Sequence, residues 1–193
     1  MTISQGAADA GVVGREAGDA QARERFVWRP MVPADLEVVL VIAGEVHPGY
    51  PERIEVFAER LRLYAPGSRV LEVGDTMAGY VVSHPWHPMT PPKLDSLLGA
   101  MPTFPATFYI HDLALLPLAR GSGAGARAVA DLAAHTQAIG LSDLSLVAVN
   151  ASVPFWRRQG FDIVESRSIA AALRSYDDEA RFMMRRLPLP PED

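Results

Sequence analysis

No cysteine occurs anywhere in the 193 residues. That excludes disulfides, thiolate metal sites and a cysteine nucleophile together, and it fits a reducing, cytoplasmic setting. Lysine is nearly absent as well. Lys93 stands alone, and the other basic residues are arginines scattered along the chain. With a formal net charge of −5, nothing resembles the concentrated basic surface that nucleic-acid binding requires, so no nucleic-acid partner is expected. No apolar run approaches the roughly 18 residues of a membrane span, so no membrane partner is expected either. The first stretch is rich in Gly and Ala, with Asp, Glu and Arg between them, and lacks the apolar region of a signal peptide. Residues 1–25 are read as a flexible tail.

What remains is an ordinary globular composition, 49% hydrophobic and 21% charged. The length suits one domain, expected over residues 26–187, with 188–193 as a polar, Pro-rich end. Phe26 to Arg29 reads as a strand. Pro33 then opens a helix marked by Leu36, Val39, Leu40 and Ala43 at helical spacing. His47-Pro48-Gly49-Tyr50-Pro51 breaks it, and a second helix is expected from about Glu52 to Tyr64. Arg69–Val73 and Thr76–Ser83 form a hairpin around Gly74-Asp75. The Pro-rich stretch His84–Pro105, with a short helix near Leu94–Leu98, is long for a connection, and a wall of a substrate pocket is its expected role. Strands follow at Thr107–Leu116 and Leu144–Val149, with a helix at Ala124–Ile139 between them and Gly140 at its C-terminal cap. Ser152 is placed to cap a short helix ending at Gly160. Two strands, about Phe161–Ala170 and Ala180–Arg186, close the chain around Asp177-Asp178-Glu179.

The strongest local signal is Arg120-Gly121-Ser122-Gly123-Ala124-Gly125, between a strand and a helix. Alternating glycines let backbone N–H groups converge on one point without side chains crowding it. The helix that follows adds its positive dipole end, and Arg120 a charge-assisted contact. The chemistry is that of a diphosphate cradle; a plain tight turn is the bland alternative. No lysine follows the glycines, which excludes a Walker loop. Gly121 to Ala126 also fits a dinucleotide fingerprint, G-x-G-x-x-A. That motif wants the strand to run directly into the loop and an acidic residue at the end of the next strand. Here Pro117 to Arg120 intervene, and Asn150 ends the next strand.

Arg120, Gly123 and Gly125 match, in register, the Arg/Gln-x-x-Gly-x-Gly/Ala signature of the GNAT acetyltransferases. Tyr109–Pro117 resembles that family's fourth strand. Asn150–Phe161, with an Asn ending the fifth strand and an aromatic pair before Gly160-Phe161, resembles its second motif. The resemblance covers about Phe26 to Leu187. It implies an α/β (α+β) fold with a central mixed, mostly antiparallel sheet flanked by helices and splayed between strands 4 and 5. In the splay lies the pantetheine arm of acetyl-CoA, the expected co-substrate, paired with the backbone of Leu113 and Leu115 like an added strand. The Leu113-Ala114 backbone would polarise the thioester carbonyl. Arg120, Gly121, Ser122, Gly123, Ala124 and Gly125 would hold the pyrophosphate, Asn150 would bond the arm, and Phe155 would stand beside it.

The resemblance thus implies direct N-acetyl transfer to a primary amine, expected to be a small molecule. Three candidates could accept the amine's proton. His111 and Asp112 sit on the fourth strand, on opposite faces by alternation, and Glu45 sits with His47 at the end of the first helix. Each has a structural reading beside the catalytic one: a hydrogen-bonded residue for His111 and Asp112, a solvated helix end for Glu45. The family often places a Tyr acid in the second motif; here Phe155-Trp156 stand there, and neither can protonate a departing thiolate. An aromatic pair on a short helix otherwise reads as core packing, and so do Tyr80 and Tyr109. His84-Pro85-Trp86-His87 has no third ligand nearby, and no metal is expected. The Trp156 departure leaves a non-catalytic acyl-CoA-binding module as a rival, and the glycine loop leaves a dinucleotide-binding protein as another. Homodimerisation through an exposed strand edge stays open.

Overall fold

A computed structural model of the chain describes residues 26–188; the expected tail lies outside them, as does the C-terminal end beyond residue 188. Seven strands build one sheet: β1 (Phe26–Pro30), β2 (Ser68–Val73), β3 (Thr76–Trp86), β4 (Thr107–Leu115), β5 (Asp143–Ala148), β6 (Asp162–Ile163) and β7 (Arg181–Arg186). The helices are α1 (Leu36–Val46), α2 (Ile54–Leu63), α3 (Ala124–Ala138), α4 (Val153–Arg158) and α5 (Arg167–Leu173). The strand order is β1-β2-β3-β4-β5-β7-β6. Every neighbouring pair is antiparallel except β4 and β5.

Apolar side chains on both faces of the sheet decide where the helices pack. On one face Val39, Ile42 and Ala43 of α1 and Phe57 and Leu61 of α2 cover Val70, Tyr80, Val82 and Ala114. On the other, Val129, Leu132 and Ala133 of α3 and Trp156 of α4 cover Val81, Phe108, Ile110, Leu144, Leu146 and Met183. Fully burying one such large side chain contributes roughly 1.5–3 kcal/mol. Pro33 opens a 3-10 turn, Pro33–Asp35, rather than α1 itself. The Asp35 carboxylate holds that turn, accepting the Val32 N–H at 2.8 Å and a two-pronged Arg29 guanidinium at 2.7 and 2.8 Å.

The last third departs from the sequence reading. Of the strand expected over about Phe161–Ala170, only Asp162 and Ile163 form ladder pairs with β7; instead of a long strand the chain turns into α5, where the Ser166 hydroxyl accepts the Ile169 N–H. Leu94–Leu98 forms no helix, because its backbone N–H groups are taken from outside: Asp95 donates to Glu52, Leu98 and Gly99 to Glu59. Ser152 precedes α4 without a side-chain cap.

Two features of β4 shape the centre of the molecule. Its pairing with β5 ends at Ile110, opposite Leu146, while β4 runs on to Leu115 against β3. The strands splay there, and the β5-facing edge of Asp112–Leu115 is open. Second, β4 is bulged. Asp112 pairs with Val82 and Ile110 with Ser83, so His111 is the extra residue. The bulge exchanges the faces of the strand. Phe108 and Ile110 pack with α3, yet Ala114, at the same parity, packs with α1 and α2.

Candidate active site

A cavity of about 450 Å³ opens where β4 and β5 part. Its floor is β4 from Ile110 to Leu113 and its far wall is β5, Asn150 and Phe155. The connection between α1 and α2 supplies His47, Tyr50 and Glu52; Leu94 and Tyr176 complete the rim. His111 and Asp112 both line it, although strand alternation places them on opposite faces. The bulge is the reason: an extra residue breaks the two-residue period at that point.

Two imidazole–carboxylate pairs stand side by side in this cavity. His111 Nε2 lies 2.9 Å from Glu52 Oε2, with the two side chains only 3% and 7% exposed. Glu52 Oε1 accepts the Asp95 N–H at 2.9 Å. Burial pushes the Glu52 carboxyl up, but the facing His111 and its hydrogen bonds outweigh this and hold it below the usual range. With Nε2 turned to the carboxylate, the neutral imidazole carries its proton there. Nδ1, which is buried and makes no hydrogen bond within the protein, then keeps its lone pair.

The second pair joins His47 Nε2 to Asp112 Oδ1 at 3.0 Å, close enough for an ion pair but off the line of a good hydrogen bond. The Tyr80 hydroxyl donates to the other Asp112 oxygen. The Asn150 amide donates to the Val46 carbonyl at 3.3 Å and meets His47 Nδ1 at 2.7 Å. Asn150 has φ +51, a left-handed conformation Asn tolerates better than most residues. Asp112 is thereby engaged at both oxygens, which suits a residue that fixes the bulge.

Burial lowers the His47 pKa, but Asp112 and, more weakly, Glu52 overcome it, and the net shift is upward from the ordinary 6.5. Burial raises Asp112, and His47 and Tyr80 pull it below 3.8. The imidazolium therefore stabilises the fold fully below pH 6.5 and ceases to as pH rises through its raised value. The carboxylate stabilises it above pH 3.8 and ceases to as pH falls through its lowered value. Urea unfolding of wild type and His47→Gln should show a stability gap that is wider near pH 6 than near pH 8. An equal gap at both would mean that His47 carries no charge in the pair.

The glycine loop lies beside the open edge of β4. Gly121 and Gly123 have φ +77 and +81, and a Cβ at either would meet nothing within 4 Å. Their side of the loop is therefore open space. Gly125 is different, because a Cβ there would press on Leu115 and Phe155 at 3.3 Å. The first bond of α3 runs from the Arg127 N–H to Gly123 O, so the N–H groups of Gly125 and Ala126 have no acceptor within the helix. Arg120 lines the cavity and donates to Leu115 O at 3.2 Å. Trp156 is packed edge-on between Phe155 and Phe161 and only 7% exposed.

Residues 36–161, roughly two thirds of the chain, match the model of the acetyltransferase (GNAT) family. The chain belongs to the GNAT family. Solved structures of similar fold agree. Ard1 from Thermoplasma volcanium has 16% identity and TM-score 0.64, over 85% of this chain and 99% of that one. The ribosomal-protein-S18-alanine N-acetyltransferase from Escherichia coli has 13% identity and TM-score 0.59, over 87% and 97%. N-acetylglutamate synthase from Neisseria gonorrhoeae, complexed with coenzyme A and L-arginine, has 17% identity and TM-score 0.57; the match spans 84% of this chain and 33% of that one. No curated protein matches the sequence significantly.

Against this GNAT frame the expected site residues divide. Leu113, Leu115, Arg120, Asn150, Phe155, His111 and Asp112 all border the one cavity, and Ala114 is buried on the opposite face of β4. Glu45 does not join them: it is exposed at the end of α1 and outside the cavity lining. The carboxylate that faces His111 is Glu52. Its sequence signal, an acid just before a helix, is indistinguishable from a solvated N-terminal residue. α2 begins only at Ile54, so Glu52 lies in the preceding loop and is free to turn inward. Of the Pro-rich stretch only Leu94 reaches the cavity. His84 is buried in β3, donating through Nδ1 to the Pro85 carbonyl, and burial drives its pKa down to about 3. Tyr80 and Tyr109 are buried too. Among the described residues no helix is long and apolar enough to cross a membrane.

Proposed function

We propose that this GNAT protein transfers an acetyl group from acetyl-CoA directly to a primary amine of a small acceptor. One observation carries the reading: the open edge of β4 lies between a glycine loop shaped for diphosphate and a buried imidazole–carboxylate pair. The N–H groups of the loop and Arg120 bind the pyrophosphate. The free backbone groups beyond Ile110 pair with the pantetheine arm. That brings the thioester beside His111 and Asp112.

The neutral amine attacks the thioester carbonyl; a C–N bond forms, the C–S bond breaks and the thiolate departs. The β4 backbone steadies the oxyanion. The amine's surplus proton goes to the His111–Glu52 pair, since both members line the cavity, and the Glu52 carboxylate stabilises the imidazolium that results. Trp156 cannot protonate the leaving sulfur, and a thiol of pKa about 8.5 leaves tolerably without help.

Calorimetric titration with acetyl-CoA tests the binding half, with NADH as the comparison. Arg120→Ala/Gly123→Ala should weaken acetyl-CoA binding about 10- to 100-fold, as expected for losing a charged phosphate contact and adding backbone strain. Undiminished affinity in the double variant would remove the loop from the cofactor site. Binding without turnover of any amine would favour a cofactor-sensing role, the reading that Trp156 keeps in view.

A further inference from the structure

We infer that the Ser152 hydroxyl hydrogen-bonds the sulfur as it departs, which makes Ser152 a further catalytic residue of this site. The inference rests on the acyltransferase reading above. It begins with a role that the fold leaves unfilled: Ser152 stands where a helix cap belongs, yet its side chain accepts no bond from α4. Its backbone is occupied. The N–H donates to the Val149 carbonyl at 2.9 Å, and the carbonyl accepts the Phe155 and Trp156 N–H groups at 2.9 and 3.2 Å. The hydroxyl has no partner among the described residues, and the half-buried side chain lines the cavity.

Most other side-chain donors of the lining are engaged or sealed off. The Tyr50 hydroxyl donates to Asp177, and the Tyr176 hydroxyl to the Pro92 carbonyl at 3.1 Å. Asn150, which the family resemblance gives to the pantetheine arm, turns its amide to the Val46 carbonyl and His47 instead. His47 Nε2 and His111 Nδ1 are buried. Arg120 belongs to the glycine loop. The Trp156 indole is left, on a side chain only 7% exposed and held between Phe155 and Phe161.

Ser152 lies one turn before Trp156, so the two share a face of the chain there. An arm paired with the open edge of β4 lies between that edge and the segment Asn150–Trp156, in the cavity both line. The chemistry favours a donor at the sulfur over one at the arm. A thioester sulfur is a weak acceptor. It becomes a strong one only as the C–S bond breaks and the electron pair passes to it. A hydroxyl there gains its bond in the transition state, which raises kcat without tightening the hold on acetyl-CoA. The proton stays on the Ser152 oxygen, and the sulfur leaves as a thiolate stabilised by a charge-assisted bond.

The test joins kinetics to a titration of bound thiol. With an amine that turns over, Ser152→Ala should lower kcat about tenfold or more, while the calorimetric Kd for acetyl-CoA stays within about twofold. Ser152→Thr, which keeps the hydroxyl, should restore most of the loss. In complexes with CoA, the ultraviolet absorbance of the thiolate is followed against pH. The thiol should ionise about one pH unit higher in Ser152→Ala than in wild type, because a bond to the charged form favours it. Turnover with the same thiol titration in both proteins would overturn the inference and leave the acyltransferase reading intact. A weaker Kd with unchanged kcat would do the same, giving the hydroxyl to the arm. Wild-type binding of acetyl-CoA with no amine acetylated would overturn the acyltransferase reading, and the catalytic role of Ser152 with it.

Discussion

Replacing His111 with alanine is expected to lower kcat/KM for acetyl transfer by about 10²–10⁴-fold, the range that removing a general base produces. The affinity for acetyl-CoA should stay within about twofold, because the proposed mode of binding gives the pyrophosphate to Arg120–Gly125 and the arm to the β4 backbone, not to His111. The argument starts from the amine, which must shed a proton as the C–N bond forms. Near neutral pH an imidazole is the side chain suited to take it. Glu52, buried and fixed 2.9 Å from Nε2, makes the resulting cation tolerable inside a closed wall. Glu52→Gln therefore separates charge from shape. The amide can still accept the Nε2 proton, but the imidazolium loses its counter-ion, so kcat should fall by about 10-fold or more while the fold is kept. The contrast is with Arg120→Ala, which should raise the KM for acetyl-CoA and leave kcat nearly unchanged. Full activity in His111→Ala, with normal acetyl-CoA binding, would sink the assignment of the pair as the base.

The same pair shows what the sequence could and could not convey. The β4–loop–α3 unit is readable from Tyr109 to Gly140 because its signals are local: an apolar strand, alternating glycines, a helical period and a terminal glycine. The bulge at His111 is not local. It arises from the register of β4 on β3, where Val82 and Ser83 pair around the extra residue, and no property of the β4 sequence alone announces it. Alternation therefore separates His111 from Asp112, whereas the folded chain brings both to one cavity. Glu52 was hidden for a related reason. Its partner is 59 positions away, and its own neighbourhood reads as a helix start. The helix α5 has local signals of its own. Ser166 can cap it, and the run Ile169-Ala170-Ala171-Ala172-Leu173 favours a helix over the strand that the preceding apolar residues suggested.

Arg60→Ala should cost about 3–5 kcal/mol of stability, the range for removing one partner of a buried charged pair. For a chain of this size that is a fall of about 10 °C in Tm. Arg60 is completely buried. Burial pulls its pKa down and Glu59 and Glu52 oppose that pull. Its Nη1 donates to Glu59 at 2.7 Å and its Nη2 to the Ser96 carbonyl at 2.7 Å. Glu59 in turn accepts the N–H groups of Leu98 and Gly99 at 2.6 and 3.0 Å. These bonds replace the helix expected at Leu94–Leu98 and pin that segment to α2. The same segment supplies the Asp95 N–H that holds Glu52, so under the proposed mechanism a stability defect here should have a catalytic counterpart. Arg60→Met distinguishes the two contributions. It refills the space, and such replacements of buried charges by apolar groups are often nearly neutral in stability, but it restores no bond to Ser96. Its Tm should recover most of the loss. Amide exchange at Asp95, Leu98 and Gly99 should stay faster than in wild type, and kcat should remain reduced. A Tm within about 2 °C of wild type in Arg60→Ala would show that the buried guanidinium contributes no net stability, and wild-type exchange at those amides would detach it from the catalytic wall.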